Sequence, residues 1–233
     1  MLKAILFDKD GTLIDFQRSW GPAMTAVIAG FAKGDAALAA RLARDVVFDA
    51  ATQTFPPTSP FVAGTSMDFA PLWAKALGAP DPVALRADID AALGRAVRRS
   101  ITPVADAPQV VAILRARGYR LGIATNDADG PTRDQARALG IAGHLDFIAG
   151  YDSGFGAKPG PGMVLAFAKA VGVAPGEVAM VGDSRHDLET ARAAGAVAVG
   201  VLSGPAPREA LAPLADHLLA DVAALPDFLA DFA

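Results

Sequence analysis

Four short polar clusters carry the chemistry this sequence could perform. The first is Asp8-Lys9-Asp10-Gly11-Thr12. Two carboxylates at i and i+2 of an extended chain project to the same side, because strand side chains alternate. Close like charges repel, so a cation between them, or a proton held on one, is expected. The same alternation predicts that Lys9 points away from both. Gly11 permits a turn that aims backbone N–H groups at an anion, although a plain Asp-Gly turn closing a strand would use the same residues. The second cluster, Thr125-Asn126, offers a hydroxyl and an amide, as an ordinary strand-end turn also would. The third is Lys158-Pro159 after Gly154-Phe155-Gly156, which alone reads as a solvated loop. The fourth, Gly182-Asp183-Ser184-Arg185-His186-Asp187, sets carboxylates at i and i+4 across a strand-to-helix turn. Ser184 or Asp183 could serve there as an N-cap, and capping is compatible with metal binding.

The elements that must position these clusters are legible as apolar runs. Lys3–Phe7, Arg120–Thr125 and Val178–Val181 read as buried strands that stop where polar residues begin. Ala196–Val201 is a further strand, and Phe147–Ala149 a weaker one. Helical patterns lie between them: Val164, Phe167, Ala168 and Val171 share one face, as do Val110 and Leu114 after Pro108. Strands alternating with helices predict a parallel sheet with right-handed crossovers. In such open sheets ligands bind beyond the carboxyl ends of the strands, which is where the clusters sit.

From about Phe16 to Ser100 the pattern changes. Trp20, Met24, Val27, Ile28 and Phe31 form one apolar stripe, and Leu85, Ile89, Leu93 and Val97 another, with the loop Pro56-Pro57-Thr58-Ser59-Pro60 between. The expectation is an all-helical insert at 16–100 within an α/β core made of 1–15 and 101–233. The core then has roughly 150 residues, an ordinary single-domain size.

Composition narrows the function classes. The 233 residues are 52% hydrophobic and 20% charged, which excludes a disordered or low-complexity chain. A formal charge of −4 without a basic block argues against nucleic acid or an anionic membrane as the main partner. The chain has no cysteine, so disulfides, thiolate metal sites and a cysteine nucleophile are all excluded. The longest apolar run, near Ala193–Leu202, is far shorter than the roughly 18 residues a membrane span requires. Met1-Leu2-Lys3 leads into no signal peptide. A soluble, cytoplasmic protein is expected.

Order and conjunction add what no cluster carries alone. Asp8-x-Asp10-Gly-Thr-Leu, Thr125, Lys158-Pro and Gly-Asp183-Ser-x-x-Asp187 together resemble the four signature motifs of the haloacid dehalogenase-like hydrolase superfamily. The insert after the first motif resembles the helical cap of its phosphoglycolate phosphatase-like branch. The second aspartate is kept by phosphotransferring members and absent from true dehalogenases, so the chain resembles phosphatases and mutases.

The resemblance implies a doubly wound, three-layer α/β core with a helical cap inserted after the first strand. It implies that Asp8 is a nucleophile forming an aspartyl-phosphate, and that Asp10 is the proton carrier. Thr125 and the Asn126 N–H would hold phosphoryl oxygens, and Lys158 would supply fixed positive charge. Mg²⁺ is the implied cofactor, ligated by Asp8, Asp183 and the backbone carbonyl of Asp10, with Asp187 at its edge or orienting Lys158. The implied reaction is hydrolysis of a small phosphorylated metabolite such as phosphoglycolate. A sugar phosphomutase would share every core residue, and a non-enzymatic binding module is the other alternative.

Some residues depart from the pattern or stand outside it. Lys9 replaces a small or apolar residue, and Gly160-Pro161-Gly162 unsettles the helix start after Lys158. His186 is expected to be solvated or capping, and His144 and His217 to lie at the surface. Trp20 is expected in the insert's core, while Arg18 is a candidate clamp for an anionic substrate group.

Overall fold

The structure, a computed structural model, describes residues 1–63 and 66–230. Its sheet is explained by residues buried on both sides. In β1 (Ala4–Phe7), Ile5 and Phe7 enter one hydrophobic core while Ala4 and Leu6 enter another. Alternation along a strand sends successive side chains to opposite faces, so a strand apolar throughout must have both faces covered. The same division holds in β4 (Val178–Gly182), with Ala179 and Val181 on one face and Val178 and Met180 on the other.

These strands join β2 (Arg120–Ala124), β3 (Phe147–Ala149), β5 (Val197–Val201) and β6 (His217–Leu219) in one sheet of order β3-β2-β1-β4-β5-β6. Every pairing is parallel. In chain order the helices are α1 (Phe16–Ala32), α2 (Ala36–Asp45), α3 (Pro60–Ala63), α4 (Ser66–Leu77), α5 (Pro82–Val97), α6 (Ala107–Ala116), α7 (Asp129–Ala138), α8 (Gly162–Val171), α9 (Arg185–Ala194), α10 (Arg208–Leu211) and α11 (Leu225–Ala230). Residues of α6, α7 and α11 fill the core on one face of the sheet, and residues of α8, α9 and α10 fill the other. The core is the predicted three-layer, doubly wound α/β fold. β1 adjoins both β2 and β4, so chain direction across the sheet reverses there and opens a crevice beyond the strand ends.

The chain divides into two compact units: Met1–Asp15 with Thr102–Ala233, and Phe16–Ile101. Among its described residues the second unit is helical, apart from an isolated bridge between Asp49 and Thr54. Its core joins Trp20, Met24, Val27 and Ile28 of α1 to Phe69 and Trp73 of α4 and to Leu85, Ile89, Leu93 and Val97 of α5. Trp73 meets its polar requirement inside that core by donating from Nε1 to the Leu42 carbonyl at 3.1 Å. Among the described residues, no helix is long and apolar enough to cross a membrane.

Two local expectations change. His217 is not a surface residue: it lies in edge strand β6, half-buried, with its ring 4.8 Å from that of Phe228. His144 is also half-buried, at the end of a one-turn 3₁₀ helix, whereas His186 is exposed on α9.

Candidate active site

Strand register brings the polar clusters together. Phe7 pairs with Ile123 on one side and Val181 on the other, so Asp8 falls beside Ala124 and Gly182, and Thr125 and Asp183, each the first residue past its strand, follow one position further on. Asp8 continues the ladder, donating its N–H to the Val181 carbonyl at 2.8 Å, and Thr125 donates to the Ala149 carbonyl at 3.0 Å.

A buried charge cluster forms at this point. Lys158 Nζ lies 2.5 Å from Asp8 Oδ1 and 2.6 Å from Asp187 Oδ1. Asp8, Asp183 and Asp187 each offer a carboxylate oxygen within 4.8 Å of the others'. All four side chains are buried. Thr12 donates from Oγ1 to Asp183 Oδ1 at 2.9 Å. Asp187 is held from its other oxygen by Ser184, whose N–H and Oγ donate to Oδ2 at 3.0 and 2.6 Å. Ser184, not Asp183, is the N-cap of α9, and Asp187 closes the capping box at the third helical position. One helix start therefore places both the cap and the partner of Lys158.

Three glycines allow the backbone to come this close. A Cβ at Gly204 would lie 1.7 Å from Asp183 Oδ2, and one at Gly11 would lie 2.4 Å from the same atom. One at Gly182 would lie 2.2 Å from Asp187 Cγ. Ser203 Oγ donates to the Gly11 carbonyl at 2.7 Å, fastening the loop after β5 onto the first motif. Sequence reasoning missed Ser203 and Gly204. Their signal was a Ser-Gly pair just past an apolar strand, the same shape as the other clusters.

The electrostatics follow from three carboxylates and one lysine in little water. Burial pushes the Asp8 carboxyl up to about 6, against the pull of Lys158, with Asp187 and Asp10 adding to the rise. Burial also raises Asp183 well above its ordinary value, helped by Asp8 and Asp187 and opposed by Thr12 and Lys158. For Lys158, burial acts to lower its pKa, but the two carboxylates and their hydrogen bonds outweigh it and the net shift is upward. The cluster carries surplus negative charge made of hard oxygen donors, which fits Mg²⁺. Asp183 and Asp8 are the residues with an oxygen to give. Both oxygens of Asp187 are already engaged by Lys158 and Ser184.

The Asn126 side chain clamps the Lys158 backbone rather than pointing into the cluster. Its Oδ1 accepts from the Lys158 N–H at 2.8 Å, and its Nδ2 donates to the Lys158 carbonyl at 3.0 Å. Thr125 is buried, and its Oγ1 accepts from the Asp127 N–H at 3.1 Å. After the cis Lys158–Pro159 bond, α8 starts at Gly162 with Pro161 as its uncapped N-cap residue. A Cβ at Gly162 would lie 1.9 Å from the Phe155 carbonyl, so the glycine belongs to that approach.

Lys9 corrects a sequence expectation. It does not point away from Asp10: its ammonium, 1% exposed, forms an ion pair with the Asp10 carboxylate and another, 3.2 Å long, with Asp127. Alternation fails because β1 ends at Phe7 and the chain turns at Lys9, whose carbonyl accepts from Leu13 and Ile14. For the same reason the Asp10 carboxylate is not among the three that converge. Burial acts to lower the Lys9 pKa, but Asp10 and Asp127 outweigh it and raise it. Arg18 lies in the other unit, exposed on the first turn of α1.

A family model for haloacid dehalogenase-like hydrolases matches residues 2–195. The chain belongs to the haloacid dehalogenase-like hydrolases. It is 41% identical over 117 residues to a phosphoglycolate phosphatase of Rhodospirillum rubrum, a match covering 50% of this chain and 48% of that one. It is 37% identical over 91 residues to the phosphoglycolate phosphatase of Escherichia coli K12, covering 39% and 36%. The matches thus span half or less of these curated relatives' length. Among solved structures, a haloacid dehalogenase family hydrolase of Deinococcus radiodurans, crystallised with phosphate and sodium, superposes with a TM-score of 0.71 at 22% identity. That superposition covers 99% of this chain and 96% of that one, and it bears on the fold. In this haloacid dehalogenase-like hydrolase the four motif loops occupy one end of one sheet.

Proposed function

We propose that the protein is a cytoplasmic phosphatase that hydrolyses small phosphate monoesters of the phosphoglycolate kind through an aspartyl-phosphate on Asp8. The observation that carries this reading is the buried Lys158 ammonium between Asp8 and Asp187, facing Asp183 across the same cluster. Lys158 fixes one oxygen of Asp8 and leaves the carboxylate oriented for attack. An Asp8 oxygen forms a bond to phosphorus while the ester P–O bond breaks, and the leaving oxygen takes its electron pair and a proton from Asp10. Water then attacks phosphorus, Asp10 takes the water's proton, and the bond between phosphorus and Asp8 breaks to release phosphate. Thr125 and the backbone of Asn126 receive phosphoryl oxygens, and Lys158 offsets the charge that develops on them. Mg²⁺, held by Asp8, Asp183 and the Asp10 carbonyl, supplies further neutralisation of the phosphoryl group when bound.

Phosphate release from a panel of phosphorylated metabolites with Mg²⁺ tests the reading. Release from 2-phosphoglycolate or a similarly small ester is expected. An isomerised sugar phosphate without free phosphate would turn the assignment to a mutase, and no reaction with any ester would remove it.

The charge surplus gives two metal predictions, one of them independent of turnover. Asp8 and Asp183 bind protons more tightly folded than unfolded, so between the ordinary carboxylate range and their raised values stability falls as pH rises. At pH 7.5 the Asp8 carboxylate, lifted to about 6, is ionised and crowds its neighbours; at pH 5 a proton relieves it. Mg²⁺ should therefore raise Tm more at pH 7.5 than at pH 5, and chelation should abolish phosphate release. An equal Mg²⁺ response at both pH values, with full activity after chelation, would sink the metal assignment.

Arg18 remains a proposed binder of an anionic substrate tail. Arg18→Ala should then raise KM for a carboxylated phosphate ester much more than for p-nitrophenyl phosphate. The same change in both would leave Arg18 no part in specificity.

A further inference from the structure

The first motif contains a buried cation that the mechanism above does not use. Lys9 is 1% exposed, and desolvating an ammonium is costly unless charged partners follow it inside. Both partners are carboxylates at the strand ends. Lys9 Nζ pairs with Asp10, the proposed proton carrier, and with Asp127 at 3.2 Å. The two carboxylates are partly open, with side chains 22% and 30% exposed, while the lysine between them is shut away.

Asp127 is itself fixed to the loop after β2. Its N–H donates to Thr125 Oγ1 at 3.1 Å, its Oδ1 accepts from the Ala128 N–H at 2.8 Å, and its carbonyl accepts from the Tyr151 N–H at 3.1 Å. The neighbouring Asn126 clamps the Lys158 backbone. Lys9 is therefore a bridge: one ammonium holds both the Asp10 carboxylate and that of Asp127, which belongs to the loop bearing Thr125 and, one step further, reaches Lys158. Because Lys9 is shared by two carboxylates, its charge stays balanced by Asp127 while Asp10 moves a proton.

We propose that Lys9, braced by Asp127, is a positioning residue for proton transfer, holding the Asp10 carboxylate in register with Asp8 and Thr125. This rests on the phosphatase reading above and deepens it.

Leaving groups provide the test. An alkyl phosphate needs its leaving oxygen protonated, whereas p-nitrophenolate needs little help. For p-nitrophenyl phosphate, kcat/KM reports only the steps through nitrophenolate release, before Asp10 is needed as a base. In Lys9→Met, kcat/KM for an alkyl phosphate should fall tens-fold, a part of the roughly 10²–10⁴-fold that a proton carrier supplies, and that for p-nitrophenyl phosphate by less than about threefold. A single phosphoryl adduct should accumulate on the protein in an acid-quenched sample, read by intact mass. Asp127→Asn keeps Lys9 and Asp10 and removes only the brace, and should show the same split at smaller size. It carries the test if circular dichroism shows that Lys9→Met does not fold. Asp10→Asn is the control.

Equal losses on both esters in the folded variants, without adduct, would overturn the inference, and a leaving-group split in Asp10→Asn would then keep the phosphatase reading standing. Wild-type protein releasing phosphate from neither ester would overturn both.

Discussion

Asp8→Asn is expected to abolish turnover and to carry no phosphoryl adduct, whereas Asp10→Asn should turn over slowly and accumulate one. The difference follows from where the two carboxylates lie. Asp8 is buried, extends the β1 ladder and has one oxygen held by Lys158 at 2.5 Å. An amide at that position has no anionic oxygen to attack phosphorus, and no covalent intermediate can form. Asp10 lies beyond the strand on the turn, paired with Lys9, and its carboxylate is not among the converging three. Asp10→Asn keeps the nucleophile and loses only the proton carrier, so turnover should fall by about 10²–10⁴-fold. With p-nitrophenyl phosphate the first step is spared most, while the water attack still lacks its base. The adduct therefore builds up. Intact-protein mass spectrometry after a rapid acid quench distinguishes the variants, and substantial activity or an adduct in Asp8→Asn would remove Asp8 from the nucleophile's role.

Much of the core was legible in the sequence because its central strands are buried on both faces. β1, β4 and β5 are continuous apolar runs that stop at polar residues, and that pattern needs no knowledge of neighbours. β6 was not legible: His217–Leu219 has three residues, all half-buried, at the edge of the sheet. The clusters containing Asp8, Lys158, Asp183 and Asp187 were visible as polar residues at strand ends, but their partners were less so. Periodicity predicts side-chain direction only while the chain stays extended, and the turn at Lys9 defeats it. Asn126 could be read as a polar group at a strand end, but not as a clamp on a backbone 32 residues away. The Gly204 contact with Asp183 is likewise set by tertiary approach, which leaves only a glycine in the sequence.

Lys158→Met is expected to damage both stability and catalysis, with the stability loss depending on pH in a way that simple truncation would not. The ammonium is a counter-charge inside a buried cluster of Asp8, Asp183 and Asp187. Methionine matches much of its length and volume, so lost packing contributes little. What is lost is the partner of buried carboxylates, and breaking such a pair from one side typically costs about 3–5 kcal/mol. The cost depends on the carboxylates being ionised. Burial already lifts Asp8 to about 6 and Asp183 well above its usual range, so acid can neutralise the orphaned charges. The Tm difference between wild type and Lys158→Met should therefore be large at pH 8 and shrink toward pH 5. Phosphate release should fall by at least about 10²–10³-fold even with the variant fully folded, the scale for removing one fixed stabiliser of a developing oxyanion. Lys158→Arg keeps the charge, but its planar fork cannot reproduce a compact ammonium between two carboxylate oxygens, so rescue should be poor. A folded Lys158→Met within tenfold of wild-type kcat, with a Tm loss independent of pH, would show that Lys158 neither compensates the cluster nor assists phosphoryl transfer.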